Sequence, residues 1–337
     1  MTDARARSVT NLRRRQLLFG IGLAAGELIG RDVMAQRPRL AKIGVLTQSW
    51  GPPPVVIGLR DGLQELGYRE DEHFTIGVRF TEGKAADLPA AARDLVRLRV
   101  DIIVTTEPGD AAAKAAQAAT NRIPIVFLGG SDPIGLGLVQ SFARPGGNIT
   151  GIADLDIELV PKRVEIFREL VPGLKRMLLP YDATDPYAVA QLRVYRDAAQ
   201  RLGLTLVEKP LRSEEEAKVA ITGLRRGEAD GIFVPRSLSL NIPGFVAEIA
   251  PSGVMPTIFD APFFVERGGL ASYSASRSEL GKQAARVVDR ILKGVKPADI
   301  PVEQPTKFEL VINLVTAKAL GLTISPSLLL RADRLIQ

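Results

Sequence analysis

Short apolar segments alternate with amphipathic segments along most of the chain. An apolar run bounded by turn residues predicts a strand, and apolar residues three or four positions apart predict a helix. In the first part of the chain the predicted strands are Lys42–Leu46, Phe74–Phe80, Asp101–Thr105 and Ile123–Leu128. The predicted helices between them are Pro54–Leu66, Leu88–Leu98 and Ala111–Ala119.

The alternation restarts after the Gly/Pro-rich segment Arg144–Asn148. The later predicted strands are Arg176–Pro180, Leu204–Val207, Asp230–Val234, Pro256–Phe259, Gly269–Tyr273 and Phe308–Asn313. The later predicted helices are Val160–Leu170, Ala188–Leu202, Ser213–Arg225, Ser278–Leu292 and a short one ending at Gly321. Repeated strand–helix units predict an α/β fold with doubly wound parallel sheets. The break between the two sets predicts two such lobes.

Polar residues follow several of the predicted strands. Ligands of open parallel sheets lie outside the carboxyl ends of the strands, so these residues are candidate ligand contacts. They are Gln48, Trp50, Thr105, Thr106, Ser131, Asp132, Asp182, Arg236, Asp260 and Tyr273.

Several of these candidates also have a structural interpretation. Thr105 and Thr106 could cap a helix, and Asp132 could form a tight turn. Trp50 could cover the mouth of the lobe, and Arg236 could be a solvated surface residue.

Composition excludes several classes of chemistry. The chain has no Cys and a single His, His73, so it cannot form a disulfide, a thiolate metal site or a site with two imidazoles. Half of the net charge of +6 lies in the first 35 residues, which gives little support for nucleic-acid binding. No phosphate-binding loop, dinucleotide fingerprint or metal-ligand spacing is present. We therefore predict no catalytic residue, no metal, no cofactor and no enzymatic activity.

The first 35 residues have the pattern of an export signal. The basic run Arg13–Arg15 precedes the apolar run Leu17–Gly26, and small residues follow at Val33–Ala35. We expect a periplasmic mature protein that begins at Gln36. The pair Arg14-Arg15 resembles a twin-arginine signal, although the general export route stays open. A frayed amphipathic N-terminal helix is the alternative.

Several segments resemble the tryptophan/tyrosine-type family of ABC-transporter substrate-binding proteins. The resemblance covers essentially the whole mature chain, in order. Its motifs are Gly58–Tyr68, Ile123–Phe127 with Ser131–Pro133, Arg144–Gly151, and Gln304–Asn313 with Thr316–Leu322. Glu107 and Asp110 place acidic groups in a pocket loop, and Pro180–Asp182 replaces an Asn-rich turn. These departures leave the solute open.

The resemblance implies a type I periplasmic-binding-protein fold, with two lobes joined by three hinge crossings. The crossings would lie near Asn148–Gly151, Ser274–Ser276 and Ile300–Glu303, so that residues 36–150 and 276–300 form the first lobe and residues 151–275 and 301–337 the second. The ligand contacts it implies are Thr105, Thr106, Ser131, Asp132, Asp182, Asp260 and Tyr273.

The function implied is that of a monomeric receptor that delivers a small organic solute, an amino acid or a related carboxylate, to the transmembrane subunits of an ABC permease. One alternative is a ligand sensor that partners a membrane receptor without transport. Another is an enzyme that uses Asp132 or Glu107 as a general base.

Overall fold

The computed structural model describes residues 40–49, 51, 53–106, 109–130, 132–153, 156–224, 227–241 and 255–337. These residues fall within one unit of the chain, Pro38–Gln337. The predicted export signal, Trp50, Glu107 and Ser131 lie outside the described residues. No helix in the described part of the chain is both long enough and apolar enough to cross a membrane.

The first sheet has five parallel strands in the order β2-β1-β3-β4-β5. Their bounds are β1 Ala41–Thr47, β2 Phe74–Phe80, β3 Ile102–Thr105, β4 Ile125–Gly130 and β5 Ile149–Ala153. Strands β3, β4 and β5 are buried along their whole length, as expected for parallel strands covered on both faces.

Helices cover both faces of this sheet. They are α1 Pro54–Glu65, α2 Leu88–Arg97, α3 Gly109–Ala119 and α9 Arg277–Leu292. Helices α1 and α9 pack on the face that carries Val45 and Val104, and α2 and α3 on the face that carries Leu46 and Ile103. The first sheet therefore takes one of its helices from late in the chain, as the family resemblance implies.

Glycines allow α1 and α9 to pack closely. A Cβ atom at Gly58 would lie 1.9 Å from the carbonyl oxygen of Ser278, and one at Gly281 would lie 2.1 Å from that of Val55. Both distances are far below van der Waals contact, so neither position can hold a side chain without moving the helices apart.

The second sheet has seven strands in the order β12-β11-β10-β9-β8-β6-β7. Their bounds are β6 Arg176–Asp182, β7 Thr205–Leu211, β8 Gly231–Phe233, β9 Thr257–Phe259, β10 Ala271–Ala275, β11 Phe308–Asn313 and β12 Arg334–Ile336. The helices are α4 Val160–Leu170, α5 Pro186–Arg201, α6 Glu214–Thr222, α7 Arg236–Asn241, α8 Pro262–Val265, α10 Leu314–Ala319 and α11 Pro326–Arg331. Two apolar layers, one on each face, pack this sheet between its helices.

One pair of strands departs from the parallel pattern. Strand β10 pairs with β11 in antiparallel fashion, with Tyr273 opposite Leu310. The chain leaves the second sheet at the carboxyl end of β10 to form α9, and it re-enters the sheet beside that same end to begin β11. Strand β11 therefore runs in the opposite direction to β10.

The segments between the lobes run side by side. The main-chain N–H of Glu303 donates to Gly151 at 2.9 Å, and Ala153 donates back to Glu303 at 2.9 Å. The N–H of Ser276 donates to the carbonyl of Lys307 at 3.0 Å. Gly151 is required here, since a Cβ atom would lie 2.0 Å from the carbonyl oxygen of Phe127.

Candidate functional site

The strand order of the first sheet identifies the position on its carboxyl edge where a ligand is expected to bind. Strand β1 lies between β2 and β3, so the connections that follow β1 and β3 leave on opposite sides and open a crevice between them. Thr105 ends β3 and Thr106 follows it. The structure therefore places both threonines at the position where such sheets bind ligands.

The two threonine hydroxyls are buried and have no hydrogen-bond partner. Thr105 is 0% exposed and Thr106 is 2% exposed. Neither hydroxyl caps a helix, so the capping interpretation is wrong. A buried hydroxyl without a partner costs about 1–3 kcal/mol, and native proteins rarely leave one unless a water or ligand uses it.

A third hydroxyl of this kind follows β2. Thr81 is buried, and its Oγ1 atom also lacks a partner. Its N–H donates to the carbonyl of Thr47 at 3.0 Å, which fixes it beside the end of β1. The sequence analysis did not single out Thr81, because one threonine after an alternating strand is an ordinary strand end.

Two other candidates on this edge have structural roles. The side-chain amide of Gln48 donates to the carbonyl of Gly83 and so holds the loop after β2. Asp132 is exposed, and its Oδ1 atom accepts from the N–H of Gly135 at 2.8 Å. Asp132 therefore closes a tight turn, which is the structural interpretation of this residue.

The second sheet has a corresponding point on its carboxyl edge. Strand β6 lies between β7 and β8, and Asp182 ends β6. Arg236 begins α7 after β8, and Asp260 follows β9 directly. All three side chains are buried, so Arg236 is not a solvated surface residue.

The strand order places one buried cation between two buried carboxylates. Strand β8 lies between β6 and β9, so the connection that carries Arg236 leaves between those of Asp182 and Asp260. The Oδ1 atom of Asp182 accepts from the N–H of Thr184 at 2.8 Å and from its hydroxyl at 2.6 Å. Hydrogen bonds of this kind offset part of the cost of burying a carboxylate.

Strand β10 contributes polar groups next to its pairing with β11. The ring of Tyr273 is half-buried and stacks on Phe308, with 6.1 Å between ring centroids. On the opposite face of the strand, Ser272 and Ser274 are buried and their hydroxyls have no partner. Ser274 follows a predicted strand and so met the carboxyl-edge rule, but neither serine was among the predicted ligand contacts.

A buried ion pair lies behind the candidate residues of the second lobe. The guanidinium of Arg163, in α4, contacts the carboxylate of Asp156 at 2.6 Å. Burial raises the pKa of the nearby Tyr195 phenol, with a further increase from the carboxylates of Asp156 and Asp260 that the charge of Arg163 opposes. The phenol therefore interacts electrostatically with the buried pair and with the carboxylate of Asp260.

Exposed apolar side chains accompany the polar groups at these edges. In the first lobe they are Ile57, Phe80 and Ile134, and in the second Tyr187, Val189 and Phe263. The guanidinium carbon of Arg267 lies 3.4 Å from the centroid of the Phe263 ring. Apolar residues around a few buried polar groups are typical of sites for small organic ligands.

The chain's histidine lies away from the candidate residues. The chain's single histidine, His73, precedes β2 and so lies at the opposite edge of the first sheet, where its Nδ1 atom accepts from the N–H of Arg69 at 2.9 Å. Among the described residues, no group of three or more His, Asp or Glu side chains could hold a metal ion.

Comparisons with known proteins agree with this geometry. The model of the ABC transporter substrate binding protein family matches residues 53–336. A tyrosine-binding protein of Clostridioides difficile is 28% identical over 267 residues, which is 79% of this chain and 76% of that protein.

Two solved structures share the fold. A Streptococcus pneumoniae ABC domain in complex with L-Trp is 31% identical, with a TM-score of 0.74. A conserved domain protein of Vibrio cholerae is 29% identical, with a TM-score of 0.75. Each match covers 88% of this chain and 100% of the other. The two-lobed α/β fold predicted from the sequence is confirmed.

Proposed function

Since the chain belongs to the family of ABC transporter substrate-binding proteins, we propose that it is the extracytoplasmic receptor of an ABC importer. It binds a small organic solute, an amino acid or a related carboxylate, between its lobes. The first lobe comprises residues 36–150 and 276–300, and the second comprises residues 151–275 and 301–337. The protein is a periplasmic monomer that delivers its solute to the transmembrane subunits of the permease.

The observation that carries this proposal is the set of unpartnered buried hydroxyls at the first carboxyl edge. The hydroxyls and the nearby start of α3 can donate to an anionic group such as a carboxylate, and the helix dipole adds partial positive charge there, which the Asp110 carboxylate in the first turn of α3 partly opposes. Filling these hydrogen bonds gives the bound state a favourable term that the ligand-free lobe lacks. The solute's anionic end therefore binds to the first lobe.

The second lobe supplies the complementary chemistry. Asp182 and Asp260 outnumber Arg236 at its carboxyl edge, so the local charge favours a cationic group such as an ammonium. The apolar side chains on both edges accommodate the rest of the solute. Gln48, Trp50, Ser131, Asp132 and Tyr273 complete the proposed contact set, in which Gln48 and Asp132 contact the solute in addition to forming their loop hydrogen bonds.

Binding energy drives lobe closure in this proposal. A solute that contacts both lobes stabilises their closed arrangement, because in the open arrangement it contacts only one of them. The permease recognises the closed arrangement. No chemical step on the solute is required.

A thermal-shift screen tests the proposal. The protein from Gln36 onward is unfolded, refolded to remove carried-over ligand, and mixed with amino acids, aromatic and aliphatic carboxylates, purines and sugars. L-Tyrosine and L-tryptophan are included because relatives carry these names or ligands. A ligand at 100 times its dissociation constant adds about 2.7 kcal/mol to the free energy of unfolding.

Two variants decide where the ligand binds. Thr106→Val removes one unpartnered hydroxyl and is expected to reduce the shift, whereas Thr316→Val, at the other end of the second sheet, removes a hydroxyl that already donates to the carbonyl of Gly268 and should leave the shift unchanged. A hit that loses affinity equally in both variants contradicts the proposed role of Thr106. No hit among the whole panel contradicts the receptor proposal and favours the sensor alternative.

A further inference from the structure

An arginine is buried on the inner face of α4. The buried residues of this helix include Val160, Val164 and Phe167, and Arg163 lies among them with 1% of its surface exposed. A guanidinium in an apolar layer is costly unless its donors are used. The contacts of Arg163 must therefore offset the free-energy cost of burying its guanidinium.

Arg163 makes two contacts that belong to different crossings between the lobes. Its Nε atom donates to the carbonyl of Tyr273 in β10 at 2.6 Å. Its Nη1 atom pairs with the Oδ1 atom of Asp156 at 2.6 Å. Asp156 follows β5, the strand from which the first crossing starts, and Tyr273 lies just before the second crossing. One side chain therefore joins the second-lobe ends of two crossings.

The carbonyl of Tyr273 needs a donor that the sheet does not supply. The main-chain groups of Leu270 and Ser276 bond on the β11 side, so the alternation along a strand turns those of Tyr273 towards β9. Strand β9 ends at Phe259, which is paired with Ser272. Beyond that pair there is no β9 residue opposite Tyr273, and the guanidinium occupies the place of the missing strand.

The third crossing depends on the same contact. It leads into β11, whose first residue, Phe308, is paired with Ala275 of β10. A displacement of β10 would therefore displace the start of β11 as well. The position of β10 controls where two of the crossings enter the second lobe, and Arg163 links it to the first.

We propose that Arg163 is a positioning residue of the hinge, which fixes the second-lobe ends of the crossings as one anchor for lobe closure. The inference rests on the proposed function only in that lobe closure is the motion this anchor serves. Without the guanidinium, β10 and the segment at Asp156 move independently, and the lobes of the ligand-free protein occupy a wider range of separations.

Spin-label distance measurements on the ligand-free protein test this proposal. The chain has no Cys, so a label pair at Arg93→Cys in α2 and Gln200→Cys in α5, both exposed positions, reports only the separation of the lobes. Arg163→Met is expected to broaden the distance distribution relative to the labelled parent, and Arg163→Lys to give an intermediate width. Arginine reaches the two partners with two different nitrogens, Nε and Nη1, whereas lysine has a single terminal nitrogen that cannot lie at both places.

A matched control uses another arginine that pairs with α4. Arg331→Met removes the exposed ion pair with Glu169, whose N–O distance is 2.8 Å, and should leave the width unchanged. Circular dichroism and the unfolding midpoint are recorded for every variant, so that broadening is compared only among folded proteins.

The double variant Arg163→Met with Asp156→Leu separates positioning from stability. It removes both charges, so its unfolding midpoint should recover relative to Arg163→Met, yet the carbonyl of Tyr273 still lacks a donor and the distribution should stay broad. The proposal is overturned if folded Arg163→Met gives a distance distribution as narrow as the parent's. If Arg163→Met does not fold, the same result in the double variant overturns it. Because no solute is added, a failed solute screen does not affect this result.

Discussion

Replacing Thr105 with valine should stabilise the ligand-free protein while weakening its affinity for solute. The Thr105 hydroxyl is fully buried and has no partner, which costs about 1–3 kcal/mol relative to a group that needs none. Valine has nearly the same shape and no hydroxyl. We expect the free energy of unfolding in denaturant to rise by about 1 kcal/mol.

The affinity should change in the opposite direction. A hydrogen bond to a charged group contributes about 1.5–3 kcal/mol, so loss of the Thr105 hydroxyl should raise the dissociation constant about tenfold or more. Titration calorimetry with the solute found in the screen measures this change. Thr105→Ser keeps the hydroxyl and should retain most of the affinity.

Thr150 provides a matched control in the same sheet. It is also 0% exposed and lies in a parallel strand, but its hydroxyl donates to the carbonyl of Ile300 at 2.7 Å. Thr150→Val should therefore lower the free energy of unfolding by about 1–3 kcal/mol. If Thr105→Val destabilises the protein as much as Thr150→Val and leaves the affinity unchanged, the hydroxyl of Thr105 is not kept for a ligand.

Three further predictions follow from the packing and electrostatics. Gly58→Ala should lower the free energy of unfolding by at least about 1–3 kcal/mol because α1 must move from α9, whereas Gly77→Ala, with open space around it, should be neutral in the same denaturation assay. Arg163→Met should cost about 3–5 kcal/mol in that assay, since it leaves Asp156 with an uncompensated charge, and a loss below about 1 kcal/mol would contradict the buried pair. Burial raises the pKa of Glu309 above its usual 4.5, so the ionised carboxylate destabilises the folded state as pH rises through the raised pKa. Glu309→Gln should therefore raise the denaturation midpoint at pH 7, and this gain should disappear below pH 4.5; a gain that is independent of pH would show that the carboxylate is not its source.

Much of the fold could be predicted from periodicity. The bounds of β2, α4 and β11 agree with the sequence pattern at both ends. Strand β5 was not predicted, because its residues follow a Gly/Pro cluster and include Gly151, a residue that normally weakens a strand. That glycine is present because β4 passes too close for a side chain. The reason is tertiary, so no local pattern could reveal it.

The same distinction between local pattern and tertiary contact applies to the candidate site residues. Position after a buried strand was sufficient to select Thr105, Asp182 and Asp260, because the carboxyl-edge rule needs only the strands. Arg163 was missed, since an arginine within an amphipathic helix normally faces solvent. Its role depends on where β9 ends relative to β10, and that register cannot be read from either segment by itself.

The pairing of α1 with α9 has a consequence for how the chain is made. The side chains of Lys282 and Glu65 form an ion pair across these helices at 2.6 Å, although 217 residues separate them in sequence. During synthesis, the apolar face of α1 with Val55, Leu59 and Leu63 has no helix to cover it until α9 emerges. The lobe that begins first is thus completed late. A nascent chain whose translation is interrupted before residue 277 exposes an apolar, aggregation-prone surface.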